Sequence, residues 1–262
     1  MLLRGTIFSE ALEMQTSVTI VAPNKPPKDG GYRVCYLLHG LCGNNGDFAD
    51  YTTLPDLVNR TDVLFVLPEV GRSFYTDLKY GGSYFTYVAS ELPKYIASVF
   101  HVSTRREDTA VMGISMGGYG ALKCALVHPE TFGMCCAGAP AMLFLKKALS
   151  YHKSIPVAER EKQFGKQLPK DIAAMFGEKF TYDPASDVSA LIKTAADAPK
   201  KPKIYMACGL SDDLLEQDRY FAKLVRSLPY DFTYEEWDGA HNWQFFAQMM
   251  EKGITHCFGQ NA

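Results

Sequence analysis

The sequence has no excess of either charge and no apolar run long enough to cross a membrane. Lys and Arg number 27 against 29 Asp and Glu, which leaves a formal net charge of −2. Such a balanced chain lacks the basic field that attracts nucleic acid or an anionic membrane, so neither is expected as a main partner. The longest apolar stretch, around Cys135, is interrupted by Gly138 and Pro140 and falls short of a bilayer span. Residues 1–9 contain no apolar run of signal-peptide length, and we expect a cytoplasmic protein.

Paired cysteine motifs are also lacking. The seven cysteines show no C-x-x-C spacing, so the common zinc-site patterns find no support. Their number is odd and most lie inside apolar runs, as expected for buried free thiols in a reducing compartment. The sequence therefore predicts no metal site and no cofactor.

The proportions of hydrophobic and charged residues are those of a protein with a large folded core. Of the 262 residues, 47% are hydrophobic and 21% are charged, which is ordinary for a globular protein. Apolar runs typical of buried strands alternate with stretches of helical pattern. The predicted strands are Thr6–Phe8, Thr16–Val21, Arg33–Leu38, Val63–Leu67, Thr109–Gly113, Met134–Ala137, Ile204–Ala207 and Phe232–Trp237, and the predicted helices are Leu54–Arg60, Tyr87–Phe100, Tyr119–Val127 and Leu214–Leu228. This alternation predicts an α/β fold with a mostly parallel sheet, helices on both faces and an antiparallel N-terminal edge.

One segment interrupts the alternation. Residues 142–202 contain no convincing strand, are rich in Lys and Ala, and show helical patterns near Leu143–Leu149 and Lys170–Met175. Pro169 is placed to open the second of these helices. We expect one domain spanning residues 1–262, within which residues 142–202 form a helical insert. The insert is either a lid over a site or a surface addition without contact to substrate.

A nucleophile motif follows the fifth predicted strand. Residues 113–117 read Gly-Ile-Ser-Met-Gly, which fits the G-x-S-x-G pattern of a nucleophile elbow. The pattern alone is weak evidence, but here it ends a predicted strand and opens a predicted helix, as an elbow requires. Glycine at positions 113 and 117 removes the Cβ atoms that would collide as strand and helix approach each other. Ser115 is therefore the candidate nucleophile, beside a helix N-terminus whose positive end suits an oxyanion.

A serine nucleophile needs a general base and an acid that orients the base. His241 lies in a polar loop after the last predicted strand, and Asp212 lies just beyond the preceding strand. The chain order Ser115, Asp212, His241 is the order found in α/β-hydrolases. Asp213 and Asp238 are alternative acids, although Asp238 is too close to His241 in sequence for the usual contact between two loops.

Two backbone N–H groups are expected to stabilise the oxyanion. One belongs to Met116, the residue after the nucleophile. The other belongs to Leu41, in the loop that follows the strand Arg33–Leu38, where Gly40 lets the chain turn toward the serine. Neither residue needs its side chain for this role.

Four segments carry a family resemblance: residues 37–44 (LLHGLCGN), 113–126 (GISMGGYGALKCAL), 207–215 (ACGLSDDLL) and 239–246 (GAHNWQFF). Over nearly its whole length the chain resembles the esterase D-like branch of the α/β-hydrolases, and within it the bacterial tributyrin esterase type. The resemblance implies a serine carboxylesterase with Ser115, Asp212 and His241 as its triad, and it favours Asp212 over Asp213. Many relatives carry an uncharged residue at the position of Asp213, which is a departure in this chain.

Residues and resemblance together predict hydrolysis of short acyl esters, acetyl to butyryl, of small molecules including sugars. The candidate lining of the acyl or alcohol pocket is Phe74, Tyr75, Tyr84 and Trp243, and packing in the core is the alternative for each. Relatives leave open an S-formylglutathione hydrolase, a feruloyl or acetyl xylan esterase, and an acyltransferase with the same triad. Outside enzymes, the alternative is a binding protein with an inactive site. A homo-oligomer is compatible with the sequence.

Overall fold

The computed structural model of the protein describes residues 1–259. Its strands are β1 (Leu2–Ser9), β2 (Met14–Val21), β3 (Arg33–Leu38), β4 (Val63–Pro68), β5 (Thr109–Ile114), β6 (Met134–Gly138), β7 (Lys203–Gly209) and β8 (Phe232–Trp237). Its α-helices are α1 (Asp47–Tyr51), α2 (Leu54–Leu57), α3 (Tyr84–Thr86), α4 (Leu92–Val99), α5 (Met116–Val127), α6 (Leu145–Ser154), α7 (Val157–Phe164), α8 (Gln167–Phe176), α9 (Val188–Thr194), α10 (Leu215–Arg226) and α11 (Trp243–Phe258). Short 3-10 helices span Val58–Arg60, Arg106–Asp108, Pro184–Ser186 and Ala195–Asp197.

The strands form one sheet in the order β1-β2-β4-β3-β5-β6-β7-β8. Strand β2 is antiparallel to both of its neighbours, and the strands from β4 to β8 pair in parallel. A mostly parallel sheet with this strand order and one antiparallel strand beside the edge is the α/β-hydrolase fold. The predicted fold class is confirmed, including the antiparallel N-terminal edge.

Side-chain alternation along each strand divides the core into two layers. In β3, Val34 and Tyr36 face one layer together with residues of α4 and α5, and Cys35 and Leu37 face the other together with residues of α11. Because both faces of the sheet are covered, such strands read as continuous apolar runs in the sequence. That is why β3 could be predicted with its observed bounds.

The helix predicted over Tyr87–Phe100 is interrupted in the structure. A π-helix, Tyr87–Glu91, is followed directly by α4. Pro93 lies in the first turn of α4. Proline has no N–H to donate and its ring collides with the carbonyl group four residues earlier, so a wider turn before it accounts for the break.

The segment of residues 142–202 carries α6 to α9 and, within the part of the chain that the structure describes, no strand. Leu149, Ile172 and Val188 of this segment are buried in the same core layer as α5. Sequence reasoning predicted helices at α6 and α8 but missed α7 and α9. Helix α7 has no buried residue, so it offers little apolar periodicity to detect.

The described residues contain neither a candidate membrane-spanning helix nor a candidate metal-binding cluster. None of the helices in residues 1–259 combines the length and the apolar composition needed to cross a membrane. Within the same residues, no three or more His, Cys, Asp or Glu side chains are grouped so as to hold a metal ion. All seven cysteines are free thiols, and five of them are buried.

Candidate active site

Ser115 occupies the sharp turn between β5 and α5. Its backbone has φ 54° and ψ −117°, a conformation that L-residues rarely adopt. The turn is held by the Ser115 N–H, which donates to the Gly138 carbonyl at 2.8 Å. A Cβ atom on Gly113 would collide with the Gly117 carbonyl, and one on Gly117 would collide with the Leu38 carbonyl. Glycine at these two positions therefore allows the close approach of strand and helix that presents a half-buried serine at the end of the sheet.

His241 and Asp212 meet across the loops that follow β8 and β7. The His241 Nδ1 lies 2.7 Å from the Asp212 Oδ2. The two loops are tied by the Ser211 N–H, which donates to the Gly239 carbonyl at 2.9 Å. The second oxygen of Asp212 accepts the Leu214 N–H at 2.9 Å, so the carboxylate is oriented from both sides.

The burial of this pair is asymmetric. The Asp212 side chain is completely buried, while 38% of the His241 side chain is exposed. A buried carboxylate beside one ring nitrogen favours the tautomer that carries its proton there, and it stabilises the imidazolium form. The alternative acids Asp213 and Asp238 are exposed, and no hydrogen bond within residues 1–259 joins either of them to His241.

The two expected oxyanion donors flank Ser115. Met116 begins α5 directly after it, and Leu41 follows Gly40, where a Cβ atom would lie 3.6 Å from the Ser115 Cβ. Among the described residues, no acceptor is found for the backbone N–H of Leu41 or of Met116. Both N–H groups are thus available to a ligand oxygen.

An open cavity of about 460 Å³ lies over Ser115 and His241. It is lined by Gly40, Leu41, Cys42, Gly43, Asn44, Asp47, Tyr51, Ile114, Ser115, His241, Trp243 and Phe246. The ring of Trp243 lies 5.3 Å from the ring of Tyr51, of which 62% is exposed. Asp47 is the one acidic residue of this lining, and no Lys or Arg of the described chain belongs to it. Burial raises the pKa of Asp47, against the hydrogen bond that its carboxylate accepts from Asn44.

Three of the four aromatic residues expected in the pocket lie elsewhere. Trp243 lines the cavity, but Phe74, Tyr75 and Tyr84 do not, and the expectation is corrected for these three. Phe74 and Tyr75 have φ values of +50° and +49°, and this turn directs both side chains into the core. Tyr84 is half-buried and packs against the same core layer.

Sequence reasoning missed Tyr51, Cys42 and Phe246 as cavity residues. Tyr51 ends α1, a five-residue helix that no periodicity could reveal. Cys42 and Phe246 lie next to predicted motifs, and proximity to Leu41 and His241 was the available signal. The insert, residues 142–202, contributes none of the lining residues in the described chain. Asp171 of the insert binds Arg72 at 2.8 Å, and Arg72 in turn donates to the Sγ of Cys42, a cavity residue, at 2.9 Å.

The chain is similar to known proteins over nearly its whole length. Residues 9–256 match the Esterase family model, described as "Putative esterase". An acetyl esterase of Caldicellulosiruptor saccharolyticus is 30% identical over 249 residues, which cover 91% of each chain.

The chain belongs to this esterase family. It is an enzyme of the carboxylic ester hydrolase class.

Two solved structures show the same fold as the esterase. The fluorophosphonate-binding serine hydrolase F of Staphylococcus aureus superposes with a TM-score of 0.81 at 24% identity, covering 98% of both chains. S-formylglutathione hydrolase FrmB of the same organism superposes with a TM-score of 0.81 at 22% identity, also over 98% of both chains. At this identity the likeness concerns the fold alone.

Proposed function

We propose that the protein is a serine carboxylesterase that hydrolyses short acyl esters, acetyl to butyryl, of small neutral alcohols. Ser115 is the nucleophile, His241 the general base and Asp212 the residue that orients the base. The observation that carries the proposal is the contact of His241 with the buried carboxylate of Asp212, beside a serine on a strained turn in the same cavity.

In the first step the Ser115 hydroxyl attacks the ester carbonyl carbon. Its proton passes to the Nε2 of His241 as the Oγ–C bond forms, and the carbonyl electron pair moves onto oxygen. The N–H groups of Leu41 and Met116 stabilise this oxyanion. When the carbonyl reforms, the bond to the alcohol oxygen breaks and the leaving alcohol takes the proton from the imidazolium. The acyl group remains on Ser115.

In the second step a water molecule repeats the sequence on the acyl-enzyme. His241 takes one water proton as the oxygen attacks the acyl carbon. The oxyanion forms and collapses in the same hole, the bond to the serine oxygen breaks, and the serine regains the proton. A carboxylic acid is released, and no external oxidant or reductant is required. Transfer of the acyl group to an alcohol instead of water would use the same steps.

The composition of the cavity supports a neutral alcohol portion. Glutathione carries two carboxylates, and the described lining has one acidic residue, Asp47, and no Lys or Arg to receive them. Asn44 and Asp47 also interrupt the apolar wall, which disfavours a long alkyl chain since methylene groups gain free energy by contacting apolar surface. The rings of Tyr51 and Trp243 provide a wall for the alcohol. The fold shared with FrmB keeps a glutathione thioester as the second candidate.

The test combines one variant with one substrate series. Ser115→Ala should abolish hydrolysis without loss of the fold, leaving only the ~10³–10⁴-fold acceleration over water that oxyanion binding alone supplies. Ser211→Ala, on an exposed serine near Asp212, is the matched control and should retain activity. Purified protein is assayed on p-nitrophenyl esters from acetate to palmitate, with acetylated xylan, methyl ferulate and S-formylglutathione alongside.

Each outcome of this assay has a definite meaning. Near-parental turnover by Ser115→Ala would remove the nucleophile assignment. A maximum rate at laurate or a longer chain would refute the short-acyl preference, and a dominant thioester rate would select the second candidate.

A further inference from the structure

Tyr75 is a completely buried side chain that reaches both halves of the proposed active site. Its hydroxyl donates to the His39 carbonyl at 3.0 Å, in the loop that carries Leu41. The other side of its ring lies against Gly120 of α5, where a Cβ atom would press on the ring. One rigid ring therefore contacts both the helix that begins after Ser115 and the loop that holds the second oxyanion donor.

The loop next to Leu41 is held by a second buried ring. The His39 Nδ1 lies 2.9 Å from the Gly40 carbonyl, and its Nε2 accepts the Val70 N–H at 3.3 Å. The Nε2 also lies 3.5 Å from the Oε1 of Glu69. With the His39 carbonyl held by Tyr75, the carbonyls of both residues before Leu41 are fixed, and the peptide planes that follow have little freedom.

A backbone conformation that is normally disfavoured places Tyr75 in this position. Phe74 and Tyr75 both lie in the left-handed region, at φ +50° and +49°. Such outliers persist only when surrounding contacts determine them, and they concentrate at functional sites. Here the contact is Lys123 of α5, a buried residue whose Nζ donates to the Tyr75 carbonyl at 3.4 Å and to the Thr76 hydroxyl at 3.3 Å. Burial lowers the pKa of Lys123 to about 8.

We propose that Tyr75 is a positioning residue for the oxyanion hole, which sets the place of the Leu41 N–H relative to Ser115 through the His39 carbonyl. The inference rests on the proposed function of Ser115 and Leu41. It assigns to Tyr75 a role in the transition state and none in substrate binding, since the side chain does not line the cavity.

The test is Tyr75→Phe, with Tyr119→Phe as its matched control. Tyr119 is equally buried and lies on α5, the helix against which Tyr75 packs. Its hydroxyl also donates to a backbone carbonyl, that of Ser186 at 2.6 Å. Both variants lose one buried hydrogen bond and should show similar falls in melting temperature. Because an oxyanion contact forms only in the transition state, Tyr75→Phe should lower kcat about tenfold and leave KM within about twofold. Tyr119→Phe should change kcat by less than about twofold.

Labelling with a fluorophosphonate probe gives a second readout. The phosphoryl oxygen of the probe occupies the oxyanion hole, so the labelling rate of Tyr75→Phe should fall by the same factor as kcat. Equal kcat losses in the two tyrosine variants, or a raised KM with unchanged kcat in Tyr75→Phe, would overturn the inference. If wild-type protein is not labelled at Ser115, the proposed function fails, and the inference fails with it for that separate reason.

A variant of Lys123, which donates to the Tyr75 carbonyl, provides the test if Tyr75→Phe does not fold. Lys123→Met removes the group that holds the Tyr75 carbonyl and keeps the apolar stem. It should show the same selective loss of kcat, smaller in size, in a protein with a cooperative melt. Unchanged kcat in folded Lys123→Met would contradict the role of this contact in positioning Tyr75.

Discussion

At the scale of single residues, the two carboxyl groups of Asp212 and Asp213 differ in what surrounds them. Asp212 is buried and its two oxygens accept from different donors, the His241 ring and the Leu214 N–H. Asp213 is exposed to solvent. Only a carboxylate that is already fixed can hold the imidazole in one tautomer through a catalytic cycle, because a mobile one would have to be ordered at each turnover.

Asp212→Asn should therefore cost far more activity than Asp213→Asn. The amide favours the wrong tautomer of His241, which costs about 10⁴-fold in kcat in a serine protease triad. Asp213→Asn should leave kcat within about twofold, as for an exposed side chain that has no hydrogen-bond partner within residues 1–259. Steady-state kinetics on a p-nitrophenyl ester measures both. A dead Asp213→Asn enzyme beside an active Asp212→Asn enzyme would mean that the acid has been assigned one residue too early.

At the scale of elements, the junction of β5 and α5 depends on how closely the helix approaches β3. The carbonyl of Leu38, at the end of β3, occupies the space where a side chain of Gly117 would begin. Helix α5 carries buried residues along almost its whole length, so it has no free side toward which it could shift. The approach of helix and strand is thus fixed by packing on all sides.

Gly117→Ala should destabilise the protein and disturb the nucleophile turn together. Forcing one methyl group into a close-packed backbone contact costs about 1–3 kcal/mol or more of unfolding free energy. Gly5→Ala in β1 is the control, because a Cβ atom there meets nothing within 4 Å. Urea unfolding monitored by circular dichroism gives the unfolding free energies of both variants. Unfolding of the two variants at the same urea concentration would show that a Cβ atom at position 117 does not collide with the Leu38 carbonyl.

At the scale of the whole molecule, one buried acid links folding to pH. Asp218 of α10 is completely buried, and neither of its carboxyl oxygens has a hydrogen-bond partner in residues 1–259. Burial, opposed by the neighbouring Cys208 thiol and reinforced by the negative charges of Asp212 and Glu236, raises the pKa of Asp218 to about 9. Between the unfolded pKa of about 3.9 and this folded pKa, the folded chain keeps a proton that the unfolded chain has lost. Asp218 therefore contributes stability below that window, and the contribution is lost as pH rises through it.

Asp218→Asn should remove this pH dependence. The difference in unfolding free energy between wild type and Asp218→Asn should shift in favour of the variant by up to about 1.4 kcal/mol per pH unit from pH ~5 to ~8. Asp213→Asn, with an exposed carboxylate, should follow the wild-type curve. Urea unfolding at several pH values measures all three. Parallel curves for wild type and Asp218→Asn would show that Asp218 is ionised in the folded protein.

Local features of the sequence were sufficient for the fold and for the proposed nucleophile and base, Ser115 and His241. The choice of Asp212 over Asp213 also needed the family resemblance. Strands buried on both faces are continuous apolar runs, and a strand–helix junction under steric pressure needs glycine, so β5, Ser115 and α5 could be read from a few neighbouring residues. Parallel strands end at the same edge of a sheet, which is why the loops that carry Asp212 and His241 could be expected to meet. Each of these conclusions depends on contacts between residues that are close in sequence or that follow neighbouring parallel strands, and the order of elements along the chain already indicates both.

Only the tertiary structure decided which aromatic residues line the cavity. Tyr75 and Trp243 look alike as aromatic residues near motifs, yet one is enclosed against α5 and the other faces the cavity. The difference comes from the left-handed backbone at Tyr75 and from Lys123 about fifty residues later, and no local pattern records either. The environment of a side chain is set by partners distant in sequence, and it exists only once the chain has folded.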